Sequence, residues 1–193
     1  MAHSETGLRE EILKAAMLMF IQQGYHGLAM RQIAEAVGVS KAALYYHFKD
    51  KEELFLAMLI SYLNEMEAEL DRITSGTESC REKILQFIHY VLSQPAERRA
   101  LIRLASQEMG QLSADARKTF NRVYRKKFIE KVEAILRAGI ESGEIRSLRP
   151  EVATHTLLGI MYPYFYPRTD DAGLPAETIQ QVISVYLDGV SSK

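Results

Sequence analysis

The apolar positions of residues 30–48 form two short helical patterns separated by a turn. On the first pattern they are Met30, Ile33, Ala34 and Val37, the spacing of one buried helix face. Gly38 favours the left-handed backbone that ends a helix, and Ser40 is a good N-cap for the next one. The second helix is predicted from Lys41 to about Phe48, with Leu44 on its buried side. This order predicts a helix-turn-helix, whose second helix enters a major groove of DNA.

The outward face of the second helix carries small and aromatic residues. Successive helical residues are rotated by about 100°, so Ala42 and Tyr46 face away from a core that contains Leu44. An alanine lets the helix axis approach base edges closely. A tyrosine offers a hydroxyl to phosphates and a ring to thymine methyl groups. The alternative is a packed helical hairpin whose rim happens to be aromatic.

The remaining chain also has helical periodicity and no strand-like alternation. A first helix is predicted over 8–23, ended by Gly24. Asp50 and Glu53 predict a capping box at the start of a fourth helix. Later helices are predicted over 51–72, 79–93, 96–110, 113–142, 150–166 and 175–190. Pro163 should kink or end the helix that contains it.

Residues 8–60 resemble the N-terminal DNA-binding domain of the TetR/AcrR family of transcriptional repressors. The residues that carry the resemblance are Ile12, Ala15, Ala16, Phe20, Gly24, Tyr25, Ile33, Ala34, Gly38, Val39, Leu44, Tyr45, Tyr46, His47, Phe48, Lys49, Lys51, Glu52 and Leu54. The resemblance implies an all-α fold of about nine helices. Residues 1–52 would form a three-helix helix-turn-helix DNA-binding domain, and residues 53–193 a helical domain for effector binding and dimerisation.

The candidate DNA-binding residues lie on both helices of the motif and just after it. They are Arg31, Gln32, Ser40, Lys41, Ala42, Ala43, Tyr45, Tyr46, His47, Lys49 and Lys51. The family usually has Thr or Ser where this chain has Leu28 and Ala29. We expect the missing hydroxyl to remove about 1 kcal/mol of helix-cap stability and one phosphate contact.

Net charge gives this chain little general affinity for nucleic acid. The 193 residues carry a formal charge of −1, and acids nearly balance bases between residues 1 and 55. Each neutralised phosphate contributes one counterion-release term. We therefore expect weak non-specific binding, and tight binding only when a dimer meets a two-part site.

Other features of the sequence favour a cytoplasmic protein without an internal disulfide. The N-terminal residues are polar and unlike a signal peptide, and no apolar run approaches the roughly 18 residues of a membrane span. Cys80 is the single cysteine, which suits a reducing compartment. Its expected role is inert packing, with redox sensing as the alternative.

The sequence offers no positive sign of catalysis. It has no Gly-rich phosphate loop, H-E-x-x-H motif, Cys/His cluster or nucleophile elbow. The five histidines are scattered, so we expect no metal and no cofactor. A helical enzyme or interaction module remains the rival interpretation, in which the first helices merely resemble a DNA reader.

Large apolar and aromatic residues of the C-terminal part are candidates for an effector pocket. The candidate ligand-binding residues are Phe87, Met109, Phe120, Tyr124, Phe128, His155, Met161 and Tyr162. In a helical bundle they could line a cavity for an apolar or aromatic ligand. The alternative is that they fill the core, which would leave a repressor that responds to no ligand.

The expected function follows from the motif and the resemblance together. A homodimer would bind a palindromic operator with its two motifs in successive major grooves, about 34–36 Å apart. The last two helices, 150–166 and 175–190, would form the dimer interface. A small effector would release the repressor by favouring a different spacing of the motifs.

Overall fold

A computed structural model of the chain describes residues 5–166 and 174–190. Its helices are α1 (Glu5–Gly27), α2 (Met30–Val37), α3 (Lys41–His47), α4 (Lys51–Ser75), α5 (Cys80–Leu92), α6 (Ala96–Glu108), α7 (Ala114–Tyr124), α8 (Glu130–Glu141), α9 (Pro150–Met161) and α10 (Ala176–Val190). Short 3₁₀ turns follow α6 and α9, at Met109–Gln111 and Tyr162–Phe165. A π turn at Arg125–Ile129 joins α7 and α8. If α7 and α8 are counted as one interrupted helix, the described residues form nine helices. They form no β-sheet, which confirms the predicted all-α class.

The chain folds into two compact units. Unit 1 comprises Met1–Tyr62 and Leu104–Arg122, and unit 2 comprises Leu63–Arg103 and Val123–Lys193. Helices α4, α6 and α7 therefore contribute residues to both units. The functional boundary predicted between residues 52 and 53 stays a prediction, because packing alone does not locate it.

The core of unit 1 is built around an aromatic cluster. The Phe55 ring lies 5.0 Å from that of Phe20 and 5.2 Å from that of Tyr25, with edge-to-face geometry in both pairs. Leu44 and Phe48 of the helix-turn-helix are also buried. Gly24 has a left-handed backbone (φ 70°) inside α1. The predicted helix end at Gly24 is thus a kink, after which a further helical turn reaches Gly27.

The core of unit 2 is formed mainly by α5, α8, α9 and α10. Phe87, Leu136 and Leu157 are fully buried there, and the Tyr186 hydroxyl donates to the Ala153 carbonyl at 3.0 Å. Cys80 is also buried. The predicted apolar stripe of the last helix packs within the chain: Ile179, Val182, Ile183, Tyr186, Leu187 and Val190 are all buried.

Three predicted helix details are refined by the structure. Pro163 ends the α-helix as expected, since α9 stops at Met161 and continues as a 3₁₀ turn. The helix predicted over 113–142 is interrupted by the π turn, for which periodicity gives no signal. The capping box at α4 is half formed. Asp50 accepts the Glu53 N–H at 2.7 Å, but the Glu53 carboxylate accepts the Lys49 N–H.

Candidate nucleic-acid interface

The turn between α2 and α3 is closed by the residues that the sequence singled out. Gly38 has left-handed geometry (φ 76°, ψ 28°), and the Val39 N–H donates to the Ala34 carbonyl at 2.9 Å. This geometry satisfies carbonyls at the end of α2. The Ser40 hydroxyl then accepts the Ala43 N–H at 3.1 Å, which confirms Ser40 as the N-cap of α3. Local hydrogen bonds therefore fix the position at which α3 begins.

Helix α3 is anchored on one face and bare on the other. Leu44 is completely buried, whereas Tyr46 and Tyr45 are 75% and 41% exposed. Ala42 is exposed beside them. The Lys41 ammonium lies 5.6 Å from the centre of the Tyr45 ring. The predicted reading face is thus open to solvent within unit 1.

The start of α2 is capped by a side chain other than the Ser or Thr that the family usually has at this place. The Gln32 side chain accepts the Ala29 N–H at 2.7 Å, while the Gln32 N–H donates to the Ala29 carbonyl at 3.0 Å. Glutamine at the third helical position is the reciprocal half of a capping box. Part of the cap stability expected to be lost with Ala29 is therefore recovered. The Gln32 amide nitrogen remains available to a phosphate.

Lys51 links the end of α1 to the start of α2. Its ammonium donates to the Tyr25 carbonyl at 2.7 Å and to the Leu28 carbonyl at 2.9 Å, and lies 4.5 Å from the Tyr25 ring centre. Burial, with the charges of Glu52 and Asp50 nearby, raises the pKa of the Tyr25 phenol. Lys51 thus holds backbone in place, with one ammonium proton left for a ligand.

A groove of about 510 Å³ opens beside the first turn of α2. Its lining residues are His26, Gly27, Leu28, Ala29, Met30, Arg31, Lys41, Tyr45, Asp50 and Lys51. The first turn of a helix leaves backbone N–H groups without intrahelical partners and carries a partial positive charge. Arg31, Lys41 and Lys51 add positive charge, against one carboxylate from Asp50. This composition suits a phosphodiester group.

The other predicted DNA-binding residues lie on the same surface. Ser40, Lys49 and Arg31 are exposed, and Arg31 pairs with Glu35 at 2.8 Å in a solvent-exposed ion pair. Such a pair adds little stability, so the arginine is easily recruited to a phosphate. Ala43 and His47 are half-buried at the edges of α3.

Residues 108–113 contribute three polar contacts to unit 1 that could not be predicted from sequence patterns. The Glu108 carboxylate accepts the Tyr25 N–H at 3.3 Å, and Gln111 contacts His26 at 2.7 Å. The Glu52 carboxylate accepts the N–H and the hydroxyl of Ser113. Each pair is 61–85 residues apart in sequence, beyond the reach of any local pattern.

The structure distributes the predicted ligand-binding residues over both units. Met109 and Phe120 belong to unit 1, and the other six belong to unit 2. Within unit 2 the Phe128 ring lies 5.8 Å from that of Phe87 and 5.4 Å from that of Tyr124. Burial raises the Tyr124 phenol pKa to about 12. Met161 is fully buried and Tyr162 half-buried, whereas His155 is exposed on α9 and bonds the Glu151 carbonyl.

The described part of the chain lacks both a membrane-spanning helix and a group of metal ligands. None of its helices combines the length and the apolar character needed to cross a bilayer. Within the same residues, no three His, Cys, Asp or Glu side chains are grouped as a metal site would require.

Comparison with known families agrees with this geometry. Residues 12–58 match the model described as bacterial regulatory proteins, tetR family. Residues 77–163 match the model described as tetracyclin repressor-like, C-terminal domain. The chain belongs to the TetR family. Its helix-turn-helix and its C-terminal helices are each recognised separately as TetR-type domains, in the expected order.

Relatives of nearly the same length have regulatory functions. The chain is 28% identical over 187 residues to the transcriptional repressor AcnR of Corynebacterium glutamicum, covering 93% of this chain and 90% of that protein. It is 24% identical over 190 residues to the repressor KstR2 of Rhodococcus jostii, covering 97% and 93%. This TetR-family chain is therefore a DNA-binding transcriptional regulator of the repressor type.

A solved structure with DNA shares the fold. The complex of AibR with isovaleryl coenzyme A and operator DNA aligns over 92% of this chain and 97% of that one, with a TM-score of 0.75 and 23% identity. At this identity the likeness shows the fold alone.

Proposed function

We propose that this TetR-family chain represses transcription as a homodimer on a near-palindromic operator and is released by a small, largely apolar or aromatic effector. The observation that carries the proposal is the bare α3 face, on which Ala42 and Tyr46 stand exposed opposite the buried Leu44. A helix presented in this way, after a capped turn, can enter a major groove.

The side chains around α3 have different parts in this proposal. Ala42 allows close approach, and Tyr46 meets base edges or thymine methyl groups. Tyr45, Lys41 and Arg31 bind phosphates at the groove described above. The remaining contacts to the DNA backbone come from Gln32, Ser40, Ala43, His47, Lys49 and Lys51. Phosphate contacts fix the register of the protein on the duplex, and the base contacts specify the sequence.

The dimer interface is proposed on the outer faces of α9 and α10. Val185 of α10 is 65% exposed and Val152 of α9 is 41% exposed, both within unit 2. A methyl group added to Gly159 or Gly189 would meet no described atom within 4 Å. These small residues let another helix approach closely. A second copy of the chain would bury both valines.

The effector is proposed to contact the aromatic cluster of Phe87, Tyr124 and Phe128, the candidate ligand residues whose rings meet within unit 2. A π turn lies at this place, and such turns occur often at functional sites. AibR, which shares this fold, was crystallised in complex with isovaleryl coenzyme A and operator DNA. The second candidate function is a repressor without effector, in which the same rings only fill the core.

The absence of enzymatic activity is part of the proposal. The relatives reported above are transcriptional repressors, and the DNA-reading face needs no catalytic group. A helical enzyme would have no reason to depend on Tyr46.

Selection of random duplex DNA on the purified protein tests the proposal. We expect enriched sequences with two inverted half-sites about one helical turn apart. Tyr46→Ala should reduce affinity for the selected site at least tenfold without changing the unfolding midpoint. Leu85→Ala, which truncates an exposed apolar side chain of unit 2, should leave affinity unchanged. Failure to enrich any sequence, or equal binding by Tyr46→Ala, would refute DNA reading by α3. Candidate effectors that never alter operator affinity would favour the second candidate.

A further inference from the structure

Two arginines of α6 point towards the turn that follows α9. Arg99 is buried and donates to the backbone carbonyls of Tyr164 at 3.2 Å, Gln94 at 2.5 Å and Leu92 at 3.4 Å. Arg103 lies one helical turn further, on the same face of α6. Arg99 thus holds the turn after α9, through the Tyr164 carbonyl, against the face of α6 that also carries Arg103.

Arg103 is half-buried and incompletely satisfied. Its Nε atom is inaccessible to solvent and has no hydrogen-bond acceptor within the described part of the chain. Its guanidinium carbon lies 5.5 Å from the centre of the Tyr166 ring. A buried donor without an acceptor costs about 1–3 kcal/mol. Protein structures normally satisfy such groups, so the orphan donor calls for a partner.

The tyrosine beside this arginine is one of a hydrogen-bonded pair. The Tyr166 hydroxyl donates to that of Tyr162 at 3.4 Å, and their rings are nearly perpendicular at 5.8 Å. The hydrogen bond to Tyr162 raises the pKa of the Tyr166 phenol, so Tyr166 keeps its proton near neutral pH. Tyr166 is 42% exposed, which gives its ring room to move off the guanidinium.

The chemistry of this cluster is one-sided. It offers a guanidinium and two phenolic hydroxyls, and no described Asp or Glu lies within ion-pair distance of Arg103. Arginine binds carboxylate and phosphate groups through paired N–H donors. An anionic group in this place would satisfy the Nε–H and neutralise the charge at the same time.

We propose that Arg103, Tyr162 and Tyr166 form a binding site for the carboxylate or phosphate group of a small organic anion. The inference rests on the proposed function in one respect: this group would be the polar end of the effector. An effector of this class has an anionic head at the turn after α9 and an apolar remainder.

The test follows the Nε–H resonance of Arg103 by NMR in the wild-type full-length protein. Arg103→Gln assigns that resonance by its disappearance. Sodium acetate and inorganic phosphate are titrated separately, and sodium chloride keeps the ionic strength constant. We expect a saturable shift with at least one of the two anions. The anion that binds more tightly tells whether the natural head group is a carboxylate or a phosphate.

Variants then assign the binding to the cluster. Tyr166→Phe keeps the ring and removes the hydroxyl, and should weaken binding of the preferred anion about tenfold, the range for one hydrogen bond to a charged group. Arg98→Gln is the matched control, because Arg98 already pairs with Glu65 at 2.5 Å. It should leave the Arg103 titration unchanged.

Several results would overturn the inference. They are an Arg103 resonance that moves with neither anion, one that moves equally with chloride, and anion binding that survives intact in Arg103→Gln as measured by calorimetry. These titrations contain no DNA. Operator binding by the same samples reports separately on the proposed function, so failure of one is distinguishable from failure of the other.

Discussion

The Glu52 carboxylate accepts the Ser113 backbone N–H at 2.6 Å and the Ser113 hydroxyl at 2.8 Å. Glu52 lies in the first turn of α4, and Ser113 immediately precedes α7. A side chain from one helix therefore caps the start of another, although the two residues are 61 positions apart. This contact ties residues 108–113 to the segment that follows the reading helix.

Removing the Glu52 cap of α7 should lower the stability of unit 1. We expect Glu52→Ala to lower the free energy of unfolding by about 1 kcal/mol, the usual contribution of a helix cap. Urea denaturation followed by circular dichroism measures the change. Glu141→Ala is the control, since Glu141 is an exposed residue at the end of α8. Equal stability of the two variants would show that Ser113 needs no cap from Glu52.

Substitutions of Lys51 and Lys49 should distinguish a structural role from a DNA-binding role. Lys51→Met removes two hydrogen bonds to carbonyls and should cost about 1–3 kcal/mol of stability without DNA present. Lys49→Met alters an exposed side chain and should leave stability unchanged. If Lys49 contacts a phosphate, its loss reduces the slope of log affinity against log salt by about one. Thermal unfolding and operator titrations at several salt concentrations measure the two effects.

Gly139 should not tolerate a side chain. A methyl group there would lie 2.3 Å from the Cys80 sulfur and 2.7 Å from its Cβ, at the contact between α8 and α5. We expect Gly139→Ala to destabilise the protein by about 1–3 kcal/mol, as overpacking does. Gly110→Ala is the control, because an added methyl group there meets no described atom within 4 Å. A neutral Gly139→Ala variant would mean that the two helices separate easily.

Substitutions on the proposed dimer face should have a different effect in a dimer than in a single subunit. Within a single subunit, Gly159→Ala should be neutral or stabilising by up to about 1 kcal/mol, because alanine favours helix. At a close helix–helix interface the same methyl group, and more strongly the charge of Val185→Lys, should shift dimer to monomer. Sedimentation velocity measures the oligomer. Gln180→Lys, a substitution on the same helix at another exposed position, should leave it unchanged. Unaltered sedimentation of Val185→Lys would argue against this interface.

Cys80 should be unreactive while the protein is folded. Burial, with a smaller effect of the Glu144 charge, raises the thiol pKa to about 11, so only about 0.1% is thiolate at pH 8. Because folding raises this pKa, the stability associated with the neutral thiol is fully present below about pH 8.5, its unfolded value. It is lost as the pH rises through about 11. Alkylation by iodoacetamide at pH 8 should be at least tenfold faster in urea than in buffer, and rapid native labelling would contradict burial.

The sequence predicted best what depends on near neighbours. Gly38 and Ser40 act on residues within a few positions, and Pro163 ends its helix through its own missing N–H. The solvent-exposed side of α3, which is the predicted reading face, followed from helix rotation alone. The carbonyl contacts of Lys51 could not be predicted in this way, because they depend on how α1 meets α4. The sequence shows that Ala29 lacks the hydroxyl that usually caps α2. It does not show that the Gln32 side chain folds back and accepts the Ala29 N–H in its place.

The π turn at Arg125–Ile129 makes the fit of α8 dependent on a count of residues as well as on their kind. A π turn holds one residue more than the regular helix would need, and each helical residue adds about 100° of rotation and 1.5 Å of rise. Deleting one residue from this turn would keep every later side chain chemically intact. It would nevertheless rotate Gly139 away from Cys80 and bring a bulkier neighbour into the place that only glycine fits.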